Sequence, residues 1–450
     1  MKKRIFMICA IAIITMLFCA GCGNGTSSSS KKDNEGKITL VITQSSSELG
    51  DRAIYQKYMD EHPNIIIEEV PMSNSDTKLL SMIASGNPPD LIRFMGYDEM
   101  PVFVQRGLLM PLDDYIKESG KINLDSMYDV ANMCRYDGEA RGTGSLYGLP
   151  KDWSPTGLWI NKKAFKEAGI PLPSETEPMT WDEFATIAKK LVKMNGESVE
   201  RHGCITALKL PTLLEMYLNS YGQSMWTSDF NSTTLESAAT KNAMKYFQDL
   251  HESAAIANSL YPASDTIGYS ALLEDKVGMV LGGYWFCGAY RSANLIEKAE
   301  DALMFVPAPV GTKQASYCLD LTCLGIFSGT EHPEEAYELW EYLMHEEYAV
   351  NARASIGYGI PASQNNFEIL PYQSDFDKQA LNVVTNYQIK TLDLSPQICP
   401  YISYTSLSTL FDKYYLPVLY DRSTLEDAMK TINKETEILI KEGKDLVGAK

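Results

Sequence analysis

The chain has 450 residues and a formal net charge of −18, and 45% of its residues are hydrophobic and 22% are charged. A chain of this length exceeds what one hydrophobic core usually holds, so we expect two domains or more. The negative charge argues against nucleic acid as a partner, because phosphate binding requires clustered Lys and Arg side chains. Composition thus indicates a globular protein and names no substrate.

The N-terminus has the pattern of an export signal. Basic residues at positions 2–4 precede an apolar run over residues 5–20, which is short of the ~20 residues that a membrane span needs and fits the apolar part of a signal peptide. The run ends in "LFCAGC", which resembles the bacterial lipobox, with Cys22 at the lipidated position. The resemblance implies that residues 1–21 are a lipoprotein signal peptide and that Cys22 carries the lipid.

A polar segment follows the proposed anchor. Residues 23–36, "GNGTSSSSKKDNEG", contain no apolar side chain and predict a flexible tether, so we assign residues 22–36 to lipidated Cys and tether. No later segment is apolar enough to cross a membrane. We therefore expect a lipid-anchored protein exposed on the outer side of the cytoplasmic membrane.

The remaining cysteines do not form a recognisable framework. The sequence has no CxxC motif and no paired His at ligand spacing, and a chain this long needs no disulfide staples. We expect buried free thiols, no metal site and no cofactor. The six cysteines beyond the anchor are Cys134, Cys204, Cys287, Cys318, Cys323 and Cys399.

The first part of the chain alternates two periodicities. Segments 37–43, 64–70 and 87–94 have the β-branched and apolar pattern of strands, whereas 51–62 and 77–86 have helical spacing. This β-α-β-α-β order predicts an α/β fold with a mostly parallel sheet and helices on both faces.

Three later helices begin with capping signals. Thr180 and Glu183 form a capping-box pattern ahead of an amphipathic segment, and Ser423 and Glu426 repeat the pattern near the C-terminus. Thr330 is the candidate N-cap of a third helix, which has an acidic first turn. These helices are in keeping with the α/β class.

The segment "KVGMVLGGYWFCGAY" places aromatic side chains directly after a strand. An apolar strand over residues 277–281 stops at two glycines, and Tyr284, Trp285 and Phe286 follow. The rings either return to the core or form a wall of a ligand site, because loops at strand ends carry function on a rigid scaffold.

Seven segments in order resemble one family. The chain resembles the family 1 extracellular solute-binding proteins, the group that includes maltose-binding protein, over about residues 37–365. The segments are "YQKYMDEHPNIIIEEV", "LLSMIASGNPPDLI", "GLLMPLDDYI", "YGLPKDWSPTGLWINKKAFKEAGI", "TWDEFATIAKKL", "KVGMVLGGYW" and "GYGIPAS".

The resemblance implies an α/β, two-lobed periplasmic-binding-protein-like fold of type II, in which each lobe is built from discontinuous chain. It assigns residues 37–152 plus 320–356 to lobe 1 and residues 156–316 plus 360–450 to lobe 2. The hinge crossings would fall near residues 152–156, 317–321 and 357–360.

The resemblance also implies a sugar site, where rings cover the apolar faces of a pyranose and carboxylates or amides bind its hydroxyl rim. In the family, the aromatic after the glycines is a binding platform, and here this residue is Trp285. Tyr284 either contributes to the site or turns back into its own lobe, whereas Phe286 and Tyr290 are expected in the core.

Other candidates lie near strand ends and crossings. Trp153 is beside a crossing and either packs there or faces the cleft. Tyr97 and Asp98 follow the third strand, and Asp98 is either a ligand acceptor or a helix cap. Tyr358, between two glycines, is expected to expose its ring.

Two departures from the maltose-type pattern concern polarity. Where an aromatic residue is common after the first strand, this chain has Gln44 and Glu48, and Glu99 replaces an Arg that can follow the loop carboxylate. We therefore expect a more polar and more acidic site.

The implied function is a lipid-anchored, non-enzymatic, monomeric component of an ABC importer that binds a carbohydrate, with an oligosaccharide favoured. Its partners would be permease subunits and a separate ATPase, since the chain has no Walker A motif. Two alternatives remain: a secreted lipoprotein glycoside hydrolase, and a ligand-sensing partner of a signalling receptor.

Overall fold

The computed structural model describes residues 36–45, 51–72, 75–256 and 265–449. The proposed signal peptide, Cys22, nearly all of the tether and Glu48 lie outside the described residues. From Ile38 onward the chain forms one compact unit.

Two five-stranded sheets and one small hairpin form the framework. The first sheet has the order β2-β1-β3-β12-β6, the second has the order β11-β7-β10-β9-β8, and β4 pairs with β5. The strands are β1 Ile38–Gln44, β2 Ile65–Pro71, β3 Leu91–Met95, β4 Arg135–Tyr136, β5 Ser145–Leu146, β6 Leu149–Ser154, β7 Thr156–Asn161, β8 Lys193–Asn195, β9 Ser198–Thr206, β10 Val277–Gly283, β11 Leu303–Pro307 and β12 Asp320–Ile326.

Helices pack against both sheets. The α-helices are α1 Arg52–Glu61, α2 Ser75–Ala84, α3 Met100–Gln105, α4 Asp113–Ser119, α5 Lys162–Glu167, α6 Trp181–Leu191, α7 Leu210–Asn219, α8 Ala238–Glu252, α9 Asp265–Leu273, α10 Phe286–Ser292, α11 Ile296–Ala302, α12 Pro333–His345, α13 Glu347–Ala354, α14 Asp375–Val383, α15 Tyr404–Leu419 and α16 Leu425–Val447. Short 3-10 helices span Leu124–Ser126, Asp129–Cys134 and Gln364–Ile369, and a π-helix spans Val384–Gln388.

The predicted order of elements in the first part of the chain is confirmed. The three predicted strands correspond to β1, β2 and β3, and the two predicted helices to α1 and α2. Both periodicities could be recognised because β1 and β3 bury apolar side chains and α1 buries one apolar face.

The parallel pairing predicted for the first three strands is confirmed, but their sheet as a whole is mixed and not mostly parallel. In the first sheet β1 runs parallel to β2 and β3, but β12 is antiparallel to both β3 and β6. In the second sheet only β9 and β10 are parallel, whereas β7 is antiparallel to both β10 and β11. The later strands join the sheets in the opposite direction, which the local pattern of one strand does not reveal.

One of the three predicted helix caps is confirmed. The Thr180 side chain accepts a hydrogen bond from the Glu183 N–H at 3.2 Å, and the Glu183 carboxylate accepts one from the Thr180 N–H at 2.8 Å. This reciprocal capping box satisfies two donors that the first turn of α6 would otherwise leave unpaired.

The other two predicted caps are wrong by one or two residues. Helix α16 is capped by Thr424 instead of Ser423, with the Asp427 N–H donating to the threonine hydroxyl at 3.1 Å. Helix α12 begins after His332, and the Thr330 hydroxyl instead donates to the Asp90 carboxylate. In both cases neighbouring hydroxyl or polar residues could fill the position, and tertiary contacts decide between them.

Stacked aromatic rings form much of the core under the second sheet. The buried Trp159 ring stacks on Phe286 at 5.7 Å and lies 4.7 Å from Phe305, measured between ring centroids. Tyr290 packs edge-on against Trp159 and is also buried. The expectation that Phe286 and Tyr290 belong to the core is therefore confirmed.

All six described cysteines are buried free thiols, as expected. Cys134 and Cys323 are in contact, with their sulfur atoms 3.2 Å apart. Burial raises the pKa of the Cys323 thiol well above its ordinary value. The fold is therefore held by packing and hydrogen bonds in the part of the chain that the structure describes.

In the described ranges, no helix is both long and apolar enough to cross a bilayer.

We predict that Thr180→Ala lowers the free energy of unfolding by about 1 kcal/mol, because it removes the side-chain half of the α6 capping box. Thr186→Ala, at an exposed position of the same helix, is the matched control and should change stability little, since its hydroxyl only bonds to the carbonyl of Asp182. Urea unfolding followed by circular dichroism measures both. Equal effects of the two substitutions would contradict the role of the cap.

Candidate functional site

A cavity of about 830 Å³ lies between the strand ends and loops of the two sheets. Its lining from the side of the first sheet includes Asp98 and Glu99 after β3, and its lining from the second sheet includes Trp285 after β10. The full lining comprises Ser45, Asp51, Met72, Arg93, Met95, Asp98, Glu99, Lys151, Asp152, Ser154, Ala207, Leu208, Lys209, Thr212, Tyr269, Trp285, Ala289, Ser292, Ala293, Leu319, Asp320, Thr322, Arg353, Ile356, Tyr358 and Tyr404.

Trp285 is the aromatic side chain that the strand end of β10 presents to the cavity. Its ring is half-buried, while Tyr284 before it and Phe286 after it are fully buried. The Trp285 ring meets Phe286 edge to face, with centroids 4.4 Å apart. A core aromatic therefore supports one edge of the ring and leaves part of its surface open.

The backbone around Trp285 is fixed by residues of the first sheet. The Trp285 N–H donates to the hydroxyl of Ser154 at 2.9 Å. A Cβ at Gly283 would lie 2.5 Å from that hydroxyl and 2.7 Å from the Asp320 carboxylate, so only glycine permits this close approach. The backbone that carries the indole is thus hydrogen-bonded to β6 and closely packed against β12.

Asp98 contributes a carboxylate shielded from solvent. Its Oδ1 is buried and has no hydrogen-bond partner in the structure. Burial, and next the nearby negative charge of Glu99, raises the pKa of Asp98 well above its ordinary value, against the opposing effect of Lys209. A buried acceptor without a partner is costly, so this oxygen is suited to accept a hydrogen bond from a ligand.

A polar cluster faces Asp98 from the second sheet. The Thr212 hydroxyl donates to the Tyr404 hydroxyl at 2.7 Å, and the Lys209 ammonium lies 5.2 Å from the centre of the Tyr404 ring. Lys209 is exposed and immediately precedes helix α7. This cluster provides donors and an aromatic edge opposite the carboxylate.

Charges in the lining nearly balance. Among the lining residues that the structure describes, five are acidic and four are basic. One acid and one base form a buried ion pair, because the Lys151 ammonium lies 2.6 Å from the Asp51 carboxylate. The cavity therefore offers many charged hydrogen-bonding groups with little net charge, although the whole chain is strongly acidic.

Tyr358 also lines the cavity, as expected from its position between two glycines. It is half-buried, and its backbone packs against helix α10, where a Cβ at Gly288 would lie 2.6 Å from the Tyr358 backbone. The structure thus brings Tyr358, Trp285 and Asp98 together around one cavity.

Three other candidates are buried and do not line the cavity. Tyr284 and Trp153 are fully buried, and the Trp153 ring packs against Tyr128 with centroids 5.3 Å apart. The Tyr97 ring is buried under the guanidinium of Arg141, 5.0 Å from its centre. The structure corrects these placements: Trp153 packs at the crossing, and Tyr284 turns back into the core.

Gln44 is also not in the lining. It is buried at the end of β1, where its side-chain oxygen accepts a hydrogen bond from the hydroxyl of Tyr55 at 2.6 Å. This contact orients α1 against the first sheet. Glu48, as stated above, lies outside the described residues.

Two lining residues that the sequence analysis missed could have been predicted from the alternation of side chains along a strand. Asp152 and Ser154 line the cavity, while Trp153 between them does not, because successive side chains of β6 point to opposite faces. Trp153 was chosen as the candidate binding residue because it is aromatic, and this choice missed the lining residues by one position. Lys209 and Tyr404 carried no comparable signal, since their positions depend on how distant segments pack.

The described residues contain no group of three or more His, Cys, Asp or Glu side chains that could hold a metal ion. The chemistry that the site offers is hydrogen bonding by carboxylates and hydroxyls, together with contact to aromatic rings.

Comparison with known proteins gives the family. The profile of bacterial extracellular solute-binding proteins matches residues 45–350, which is more than half of the chain. The chain therefore belongs to the family of bacterial extracellular solute-binding proteins, and the resemblance seen in the seven segments is confirmed.

Three relatives illustrate the match. An ABC substrate-binding protein from Listeria monocytogenes, solved with cycloalternan, superposes with a TM-score of 0.72 at 19% identity, covering 92% of this chain and 100% of that one. The sugar-binding protein MalE from Xanthomonas citri gives a TM-score of 0.67 at 16% identity, covering 92% and 100%. A galactooligosaccharide-binding protein from Bacillus subtilis is 22% identical, over 77% of each chain. The two-lobed α/β fold is thereby confirmed.

We predict that Trp285→Phe removes most of the tryptophan fluorescence that acrylamide can quench. Of the six tryptophans, all of which the structure describes, Trp285 alone is half-buried, while the others are at most 5% exposed. Trp226→Phe is the matched control and should leave the quenchable fraction nearly unchanged. An unchanged fraction in Trp285→Phe would contradict the placement of this ring at the cavity.

Proposed function

We propose that the protein binds a neutral carbohydrate, with an oligosaccharide favoured, in the cavity between its two lobes and delivers it to the permease of an ABC importer. The observation that carries this proposal is the half-exposed Trp285 ring at the mouth of a cavity whose other walls bear carboxylates, amines and hydroxyls.

The arrangement fits the chemistry of a sugar. A pyranose has apolar C–H faces, which stack on an aromatic ring, and a rim of hydroxyls, which bind carboxylates and other polar groups. Trp285 would cover one face, and the shielded Oδ1 of Asp98 would accept a hydroxyl hydrogen bond. Tyr358 and Tyr404 supply further rings in the same lining.

The near balance of charge in the lining supports an uncharged ligand. A strongly anionic or cationic solute would leave several buried or half-buried side chains of the same sign without compensation. Charged groups that bind neutral hydroxyls instead form charge-assisted hydrogen bonds, which are stronger than neutral ones.

The relatives support a carbohydrate as well. The Listeria protein was solved with cycloalternan, the Xanthomonas protein is described as sugar-binding, and the Bacillus protein as galactooligosaccharide-binding. These descriptions belong to proteins 16–22% identical to this chain, and what they share is carbohydrate as the class of ligand.

The energetic demand on such a site is modest. A micromolar Kd corresponds to about 8 kcal/mol of net binding free energy. Ring stacking and several charge-assisted hydrogen bonds suffice for this, after the entropy of association and of closure is subtracted.

Binding would be coupled to transport through closure of the lobes. A ligand that contacts both lobes binds their closed arrangement more tightly and shifts the equilibrium towards it. Permease subunits would recognise the closed form, and a separate ATPase would supply the energy. The lipid on Cys22 would hold the protein, as a monomer, at the outer side of the cytoplasmic membrane. This protein would itself catalyse no reaction.

We predict that Trp285→Ala abolishes detectable sugar binding and leaves the Tm almost unchanged, because the ring is only partly packed in the core. Isothermal titration with cycloalternan, a galactooligosaccharide and maltotriose measures binding, and calorimetry measures Tm. Trp226→Phe is the control and should bind like the wild type. A large loss of Tm in Trp285→Ala would show that the ring is structural, and hydrolysis of the sugars by the wild type would favour a glycoside hydrolase.

We predict that Asp98→Asn weakens sugar binding by about tenfold to a hundredfold, because a charge-assisted hydrogen bond is replaced by a neutral one. Asp301→Asn, on the exposed surface of α11, is the control and should have no effect. The same titrations measure both variants. Unchanged affinity in Asp98→Asn would remove this carboxylate from the proposed contacts.

A further inference from the structure

Arg141 is a buried cation that lies next to the cavity without lining it. Only 5% of the residue is exposed. One terminal nitrogen, Nη1, donates to the main-chain carbonyl of Tyr97, and the other, Nη2, donates to the main-chain carbonyl of Pro396. The guanidinium also stacks over the Tyr97 ring, 5.0 Å from its centre.

The first of these bonds holds the peptide that precedes Asp98. Because Tyr97 and Asp98 are adjacent, fixing the Tyr97 carbonyl and ring restricts where the Asp98 carboxylate can point. Both terminal nitrogens are used on main-chain oxygens, so the guanidinium acts on the loop and not on a ligand directly.

The second bond holds a segment that leads to the opposite wall. The Arg141 N–H donates to the side-chain oxygen of Gln397 at 3.0 Å, and the Gln397 amide donates back to the Arg141 carbonyl at 3.4 Å. This segment continues into the Ser403 cap of helix α15, whose first residue, Tyr404, lines the cavity. Arg141 therefore ties together the two segments that present Asp98 and Tyr404.

The charge of Arg141 also matters for Asp98. The charged groups that face this carboxylate are Glu99 on its own loop, Asp320 on β12 and Lys209 before α7, with the neutral hydroxyl of Tyr404 on α15. Arg141 adds a positive charge from the loop between β4 and β5, and this charge and that of Asp98 attract each other. Of the two cations, Arg141 is buried and Lys209 is exposed, so solvent screens Arg141 less.

We propose that Arg141 is a positioning residue for ligand binding: its buried guanidinium orients the Tyr97–Asp98 loop, compensates the charge of Asp98 and ties this loop to the segment that leads to Tyr404. The inference deepens the proposed function and rests on it for the role of Asp98 in binding. The electrostatic interaction between the two charges can be tested without any ligand.

The ligand-free test is a double-mutant cycle in thermal unfolding. We expect Arg141→Met to lower the Tm clearly less in the Asp98→Asn background than in the wild type, because the Asp98 charge that the loss of Arg141 leaves uncompensated is then absent. Arg135→Met is the matched control: Arg135 pairs with Asp113 at 2.9 Å and should combine additively with Asp98→Asn. Should Arg141→Met not fold, Arg141→Gln replaces it in the same cycle.

The pH dependence adds a readout that a purely structural arginine would not change. Removing the positive charge raises the pKa of Asp98 in the folded protein further above its unfolded value, so the folded state loses stability as the pH rises. The Tm deficit of Arg141→Met should therefore grow as the pH rises above the range in which a carboxyl group ordinarily titrates. In the Asp98→Asn background this growth should vanish, and Arg141→Lys, which keeps the charge, should not show it.

Titration with cycloalternan, a galactooligosaccharide and maltotriose then connects the residue to binding. For whichever sugar the wild type binds, Arg141→Met should weaken affinity at least about tenfold, while Arg135→Met should leave it unchanged. A wild type that binds none of them contradicts the proposed function, while the unfolding cycle still tests the interaction between Arg141 and Asp98. Additive Tm losses with a pH-independent deficit would overturn the inference.

Discussion

Pro155 alone separates the end of β6 in the first sheet from the start of β7 in the second. With a single residue between them, the edges of the two sheets must lie close together, and a proline there has a fixed φ. The Pro155 carbonyl accepts a hydrogen bond from the Tyr284 N–H at 3.2 Å, and the adjacent Ser154 hydroxyl accepts the Trp285 N–H. The position of the indole, and hence of one cavity wall, follows from this short crossing.

Elements built from local patterns could be predicted from the sequence. The alternation of β1, α1, β2, α2 and β3 follows from apolar spacing, and the α6 cap follows from a side-chain pattern four residues long. Trp285 could be identified because two glycines end a buried strand before an aromatic run. Each of these depends on neighbours in the chain, which is why a sequence pattern carries the information.

The remaining site residues depend on contacts between distant parts of the chain. Tyr404 lies about three hundred residues beyond Asp98 in the sequence, and Arg141 contacts both Tyr97 and Pro396 only because the loops converge. The error at Trp153 has a related cause: the face of β6 that meets the cavity is set by pairing with β12, and this register is not encoded in β6 alone. Burial of an aromatic side chain and its exposure in a cleft produce the same local sequence signal.

The buried thiols have a consequence for the conditions under which the fold persists. The thiolate is the form that oxidants and disulfides attack, and burial raises the pKa of the Cys204, Cys287, Cys318 and Cys323 thiols and brings that of Cys399 to about 12. These sulfurs are therefore both protonated and sterically protected at neutral pH. In the described part of the protein, external oxidants therefore reach these thiols slowly, whereas Cys134 and Cys323, whose sulfur atoms lie 3.2 Å apart, are close enough for oxidation to involve both.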